Sequence, residues 1–247
     1  MTVLCIDRKG DDMEVVPRQA AFTHRFAQGC AGINVSLQTA RRAPVDQPWC
    51  VRGMKFGPAV QECWQTGRTF YYIDNGYFGN ALHKRWFRII KNHSHEIRPV
   101  IPRDRSRLDL CDVKLKRFSP GTKILVAPPS AKSLTLWNLD AEQWVTDTVA
   151  EIKKHTDRPI EIRIKRPRAE RFKEDTIEQA LANDVHCLIT YNSVAACEAI
   201  MLGKPAVCLG PNAAAILSST TLAEIENPHM PTYDEREADR KSTRLNS

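Results

Sequence analysis

Leu188-Ile189-Thr190-Tyr191-Asn192-Ser193-Val194-Ala195-Ala196-Cys197-Glu198-Ala199-Ile200-Met201-Leu202-Gly203-Lys204-Pro205-Ala206-Val207 reads as a buried strand, a small polar turn, a helix of small residues, a glycine stop and a second buried strand. Both strands are continuous apolar runs without polar alternation, the pattern of parallel strands covered on both faces. Asn192 or Ser193 can cap the helix, and Gly203 stands where a left-handed stop is expected. Ala195, Ala196 and Ala199 let the helix approach the sheet closely. Ligands of open parallel sheets gather at the C-terminal ends of the strands, so Asn192 and Ser193 stand where a phosphate is expected. The plainer reading makes Ser193 only a cap and Glu198 a solvated helix residue.

The same alternation extends outward. Lys123 to Ala127 predicts a strand ending in Pro128-Pro129-Ser130, and Asp140 to Lys154 a helix with Trp144, Val145, Thr148, Val149 and Ile152 on one face. Pro159 to Ile164 predicts a strand, Thr176 to Ala182 a helix, and Pro205 to Leu209 a strand. Upstream, Val3 to Ile6 predicts a strand and Arg18 to Gln28 a helix, with residues 36–48 as loop. Trp49-Cys50-Val51, a helix opened by Pro58 and closed by Gly67, and Thr69 to Ile73 form a βαβ signal; Trp86 to Ile90 predicts a further strand. The class is α/β, with two Rossmann-like halves built on parallel sheets and the N-terminal half less regular. Residues 1–97 form the first domain, 98–120 a polar, basic, proline-bearing linker, and 121–238 the second domain.

Residues 239–247, Asp239-Arg240-Lys241-Ser242-Thr243-Arg244-Leu245-Asn246-Ser247, resemble the in-frame translation of a common sequencing adapter. They are set aside from the fold, with the natural C-terminus left open beyond Ala238. The tail holds three cations and one carboxylate, so without it the formal charge falls from +7 to +5. A surplus of that size favours anionic partners, or serves solubility alone. The 247 residues contain no apolar run near the roughly 20 needed to cross a bilayer, and the N-terminus lacks a signal-peptide pattern. The eight cysteines are scattered, with no Cys-x-x-Cys pair, which points to free thiols in a reducing, cytoplasmic setting.

The quoted stretch resembles the donor half of GT-B glycosyltransferases, in which a strand ends in a small polar residue and the next helix carries Glu-Ala ahead of Gly-x-Pro-Val. It is closest to the capsule-polysaccharide and Kdo-transferase type and to glycosyltransferase-like proteins of some phages. The resemblance covers residues 120–212, and residues 49–80 more weakly. It implies that Asn192 and Ser193 meet donor phosphate and that Glu198 faces the nucleotide or sugar. The strand ending Arg163-Ile164-Lys165-Arg166-Pro167 holds cations where the family carries a basic residue or His before Pro. Arg163, Lys165 and Arg166 would neutralise a diphosphate there, or form a solvated basic loop.

Ile73-Asp74-Asn75-Gly76-Tyr77-Phe78 resembles the family's acidic-Asp-Gly-Phe turn, with Ile73 replacing the first acid. Asp74 is the candidate catalytic carboxylate, as base or nucleophile, against a plain Asp-Asn-Gly turn. His93 and His95 would share one face of a strand, with His95 the second catalytic candidate and no third metal ligand nearby. The chain contains no Asp-x-Asp, which favours metal-independent transfer with no cofactor beyond the nucleotide-sugar co-substrate. The acceptor, a glycan or a modified nucleic acid, stays open. Two other functions remain: a non-catalytic nucleic-acid-binding protein, and another nucleotide-sugar enzyme such as an epimerase or polyol-phosphate transferase.

Overall fold

The computed structural model describes residues 2–6, 17–77, 87–95, 97, 114–165 and 176–242, without the side chains of 17–21 and 238–242. Nine strands form two sheets among these residues. In the N-terminal half, β1 (Leu4–Ile6), β2 (Ile33–Val35), β3 (Trp49–Arg52), β4 (Phe70–Asn75) and β5 (Phe87–Lys91) lie in the order β2-β1-β3-β4-β5. The first four are parallel, and β5 returns antiparallel along β4. In the C-terminal half, β6 (Lys123–Ala127), β7 (Ile160–Ile162), β8 (Val185–Thr190) and β9 (Ala206–Cys208) are all parallel, in the order β7-β6-β8-β9. Both halves therefore repeat one topology: second strand, first, third, fourth. Each has its switch point between its first and third strands, where open α/β sheets form a crevice. The fold class expected from the sequence stands.

The helices are α1 (Pro17–Gly29), α2 (Leu37–Arg41), α3 (Gly57–Thr66), α4 (Ala131–Trp137), α5 (Ala141–Ile152), α6 (Ile177–Ala182), α7 (Ala195–Met201) and α8 (Tyr233–Ser242). Their ends follow local chemistry. The Asp140 carboxylate accepts from the Gln143 N–H at 2.8 Å and starts α5, and Thr176 and Gln179 form a reciprocal capping box at α6.

Two regions depart from the sequence reading. Residues 36–48 are not all loop: the Ser36 hydroxyl accepts from the Thr39 N–H at 3.1 Å and nucleates α2. The remaining turn is held by the buried Arg68, which donates to the carbonyls of Ala43, Pro44 and Gln47 while stacking on Trp49. Helix α4 was not anticipated: Pro128-Pro129-Ser130 reads only as the end of a strand, and Ser130 in fact starts the helix.

Of the linker, 98–113 lie outside the described residues. Residues 114–120 run against α7 and α8: the Lys116 N–H donates to Met201 O, and Arg236 donates to Lys116 O and Ile200 O while stacking on Phe118. Gly203 has φ +74°, and a Cβ there would sit 2.0 Å from Arg117 O, so both conformation and space require glycine. Of the tail set aside on its sequence, 239–242 complete α8 and 243–247 lie outside the description. No helix among the described residues is long and apolar enough to cross a membrane.

The halves interpenetrate. Leu136 on α4 belongs by sequence to the second half but is buried in the core of the first, with Trp49, Val60, Phe70 and Tyr72. Tyr77 leaves the first half to join the core of the second, with Leu125, Leu188, Ala195 and Ala199. Gln61 on α3 donates to the carbonyls of Thr135 and Leu136 at 3.1 and 2.9 Å. Gly57 faces Leu136 at this contact, where a Cβ would meet it at 3.5 Å, ordinary van der Waals distance.

Candidate functional site

At the switch point of the second sheet, the ends of β6 and β8 are tied by the buried Thr190 hydroxyl donating to Ala127 O at 2.7 Å. Beyond them the chain diverges into α4 on one side and the Tyr191-Asn192-Ser193 turn on the other. The Ser193 hydroxyl accepts from the Ala195 N–H at 3.2 Å, one residue ahead of Val194, which occupies the N-cap position of α7 without a side-chain cap bond. Asn192 does not cap. It is 4% exposed, its Oδ1 accepts from the buried Ser133 hydroxyl at 2.6 Å, and its Nδ2 has no hydrogen-bond partner among the described residues. A buried amide N–H left unpaired costs about 1–3 kcal/mol, a cost that an incoming acceptor removes. Asn212, 1% exposed, fixes the turn from behind by donating to Ser193 O at 2.9 Å.

Glu198, in the first turn of α7, is half-buried. Burial pushes its carboxyl up to about 7; Glu178 on α6 adds to the rise, while Lys165 and Arg163 oppose it. The fold thus brings Arg163 and Lys165, beyond the end of β7, into the field of Glu198. Arg166 lies outside the described residues. A carboxyl held near neutrality beside two cations is a feature of functional sites.

This raised pKa carries a sign. Between about pH 4.5 and 7 the folded chain holds a proton that the unfolded chain has released. Stability from Glu198 is therefore full below 4.5 and is lost as pH rises to 7. Glu198→Gln should flatten that decline, by up to about 3 kcal/mol across the window. Melting temperatures of both proteins against pH measure this; parallel curves would show that the carboxyl is not desolvated.

In the first half, Asp74 is the penultimate residue of β4, with its side chain 27% exposed. One oxygen accepts from the Asn75 N–H at 2.8 Å, and the other from the Tyr72 hydroxyl at 3.0 Å and from Arg88 at 3.5 Å. Arg88 is 4% exposed, donates to the carbonyls of Asn75 and Ser94, and lies 4.3 Å over the Tyr77 ring. Burial opposes its charge, but Tyr77, Asp74 and Tyr72 outweigh that and raise its pKa. Cys197 on α7 also falls within its field, so this cluster abuts the helix that carries Glu198.

The histidines correct a sequence expectation. Residues 92–95 form a bend after β5, not a strand, and Asn92 adopts φ +60°. The two rings therefore part. His93 packs against Trp64 and Trp137 at 5.9 and 6.0 Å, and His95, 2% exposed, stacks on Tyr77 at 6.0 Å. His95 as it stands faces protein on all sides.

Several residues at this junction were not anticipated. Trp137 joins Trp64, His93 and Tyr191 in an aromatic seam between the halves. Tyr191 lies on Gly210, where a Cβ would meet its ring at 2.6 Å. Ser133 could have been found from the Ser130 start signal. Arg52, on β3, ends the first sheet beside Asp74. Burial lowers its pKa against the field of Asp74, though a guanidinium stays charged. The seven described cysteines are free, and Cys111 lies outside the description.

No family model matches the chain. No curated protein matches it in sequence. Among solved structures it is similar to the β Kdo 2,4 transferase KpsC of Thermosulfurimonas dismutans, over 97% of this chain and 90% of that one, at 12% identity and a TM-score of 0.49. Function is therefore argued from the site.

Proposed function

We propose that the chain is a glycosyltransferase-like enzyme that takes a sugar from a nucleotide donor held on its second half, without a metal. The observation that carries this reading is the switch point of the second sheet: the Asn192 Nδ2, unpartnered among the described residues, Ser193 beside it, and Glu198, whose carboxyl burial pushes up to about 7 although Lys165 and Arg163 pull it down. Arg163, Lys165 and Arg166 offset the donor phosphates, Asn192 donates to a phosphate or ribose oxygen, and Glu198, when protonated, donates to the nucleotide or sugar.

Asp74 faces the acceptor. It takes the proton from the acceptor hydroxyl as that oxygen bonds to the anomeric carbon; the bond from that carbon to the donor phosphate breaks, and its electron pair leaves with the nucleotide. His95 acts behind Tyr77, as support for this cluster. The acceptor is a glycan or a modified nucleic acid.

A thermal-shift panel of UDP-, GDP-, CMP- and dTDP-linked sugars tests the donor site. A nucleotide at about 100 times its dissociation constant adds roughly 2.7 kcal/mol to native stability. One nucleotide family should shift the melting temperature, and Ser193→Trp and Lys165→Glu should abolish the shift. A flat panel from folded protein would sink the transferase reading; salt-sensitive binding of nucleic acid would then point to the basic-surface alternative.

A further inference from the structure

Three cysteines far apart in the chain meet on one face of the first sheet. Cys5 on β1 and Cys50 on β3 are register partners on adjacent parallel strands, and both are fully buried. They share a core with Val3, Ala27 and Ile73, against which Phe26 and Cys30 pack from α1 and the turn after it. That turn is tightly fixed. Ala31 adopts φ +51°, and a Cβ on Gly32 would sit 2.6 Å from Val3 O, so the chain passes directly over the start of β1. The Cys30 thiol donates weakly to Ala27 O at 3.8 Å, and it and the Cys50 thiol are both side-chain hydrogen-bond partners of the Cys5 sulfur. Of the seven described cysteines, Cys30 alone is not buried.

Geometry selects which two of the three can join. Side chains of in-register parallel neighbours project side by side at the strand spacing of about 4.8 Å. A disulfide needs Cβ atoms about 3.5–4.5 Å apart, so Cys5 and Cys50 are poorly placed for one. Cys30 comes down onto Cys5 from the layer above and is not held to that spacing. The charge balance of the cluster supports the same pair. The hydrogen bond from Cys50 pulls the Cys5 thiol below its ordinary value against the effect of burial, whereas burial and the nearby Cys5 push that of Cys30 up. Cys5 is therefore the sulfur best suited to attack, and Cys30 the one that a dissolved oxidant reaches.

We propose that Cys30 and Cys5 form a peroxide-responsive thiol pair, whose reversible disulfide staples the end of α1 to β1. The Cys30 thiolate attacks one peroxide oxygen: the S–O bond forms, the O–O bond breaks, and hydroxide leaves with the electron pair. The raised Cys30 pKa makes this step slow at neutrality and faster as pH rises. The Cys5 thiolate then attacks the Cys30 sulfur; the S–S bond forms, the S–O bond breaks, and a second hydroxide leaves. Two thiols lose two electrons and two protons, and one peroxide becomes two waters. A dithiol reductant reverses the bond by exchange. The proposal does not depend on the transferase reading.

Reduced, desalted protein is treated with a small excess of hydrogen peroxide, the remaining thiols are alkylated, and the peptides are mapped by mass spectrometry before and after dithiothreitol. Wild type should give a Cys5–Cys30 linkage that dithiothreitol removes. Oxidised protein should melt about 5 °C or more above reduced protein, because the bond closes the chain from residue 5 to residue 30 in the unfolded state. Cys30→Ala, at a half-buried position, should abolish both the linkage and the rise. Cys5→Ala should leave Cys30 as a sulfenic acid that dimedone traps, and Cys50→Ala should keep the linkage but form it more slowly.

A Cys5–Cys50 linkage, a disulfide between two chains, or Cys30 carried on to the sulfinic acid without a linkage would each overturn the proposal. So would a Cys5–Cys30 bond that leaves the melting temperature unchanged or lower, since it would then strain the fold instead of stapling it. If Cys5→Ala fails to fold, the linkage map and melting shift of wild type against Cys30→Ala still decide the outcome.

Discussion

Arg88→Met should lower the stability of the chain by about 3–5 kcal/mol, the usual cost of removing one partner from a buried ion-paired network. Arg88 is 4% exposed, and its guanidinium answers Asn75 O, Ser94 O and the Asp74 carboxylate at once. Methionine fills much of its volume but none of its bonds. Two carbonyls are left short of a donor, and the Tyr77 ring loses the cation over its face. Because Tyr77 is plugged into the core of the second half, the effect should spread to the contact between halves. Urea unfolding measures the loss. The double variant Arg88→Met with Asp74→Asn should recover part of it, since the unpaired carboxylate is then gone as well. A loss below about 1 kcal/mol would mean that the network is dispensable.

That cluster marks where the sequence stopped being readable. The second sheet was legible because Ile124–Ala127 of β6, Cys187–Ile189 of β8 and Ala206–Cys208 of β9 are unbroken apolar runs and because Gly203, Asp140 and Thr176 punctuate the helices by local rules. Arg88 was not: in Phe87-Arg88-Ile89-Ile90 an isolated cation in a strand reads as solvent-facing. Only the antiparallel return of β5 along β4 puts Arg88 opposite Asp74 and turns it inward. The same return ends in a bend instead of a continued strand, which separates His93 from His95. Helix α4 was missed for a different reason. Pro128-Pro129-Ser130 reads as the end of a strand, yet Ser130 is also the start of a seven-residue helix. With α4 went Ser133, and so the partner that turns Asn192 away from capping. Arg163 and Lys165, after β7, and Asn192, Ser193 and Glu198, after β8, all follow the C-terminal ends of parallel strands of one sheet, and that rule brings the two cations into the field of Glu198.

Asp74→Asn should reduce turnover with an identified donor and acceptor by about 10²–10⁴-fold, the range of a general base. Asparagine keeps the side-chain oxygen that accepts from the Asn75 N–H but can neither take a proton nor balance Arg88. Two effects are thus removed together, and they separate by measurement. Loss of the counter-ion is a stability effect of about 1–3 kcal/mol, visible in unfolding without substrate. It is limited because Asp74 is 27% exposed and its bond to Arg88 is long, at 3.5 Å. Loss of the base is a kcat effect, visible under conditions where the variant is fully folded. Nucleotide-sugar binding should be unchanged, because Asp74 belongs to the other sheet. A variant that loses stability and nucleotide binding yet keeps its turnover when saturated would make Asp74 the counter-ion of Arg88 and nothing more. A variant that binds donor normally and fails to transfer would place the acceptor proton on Asp74.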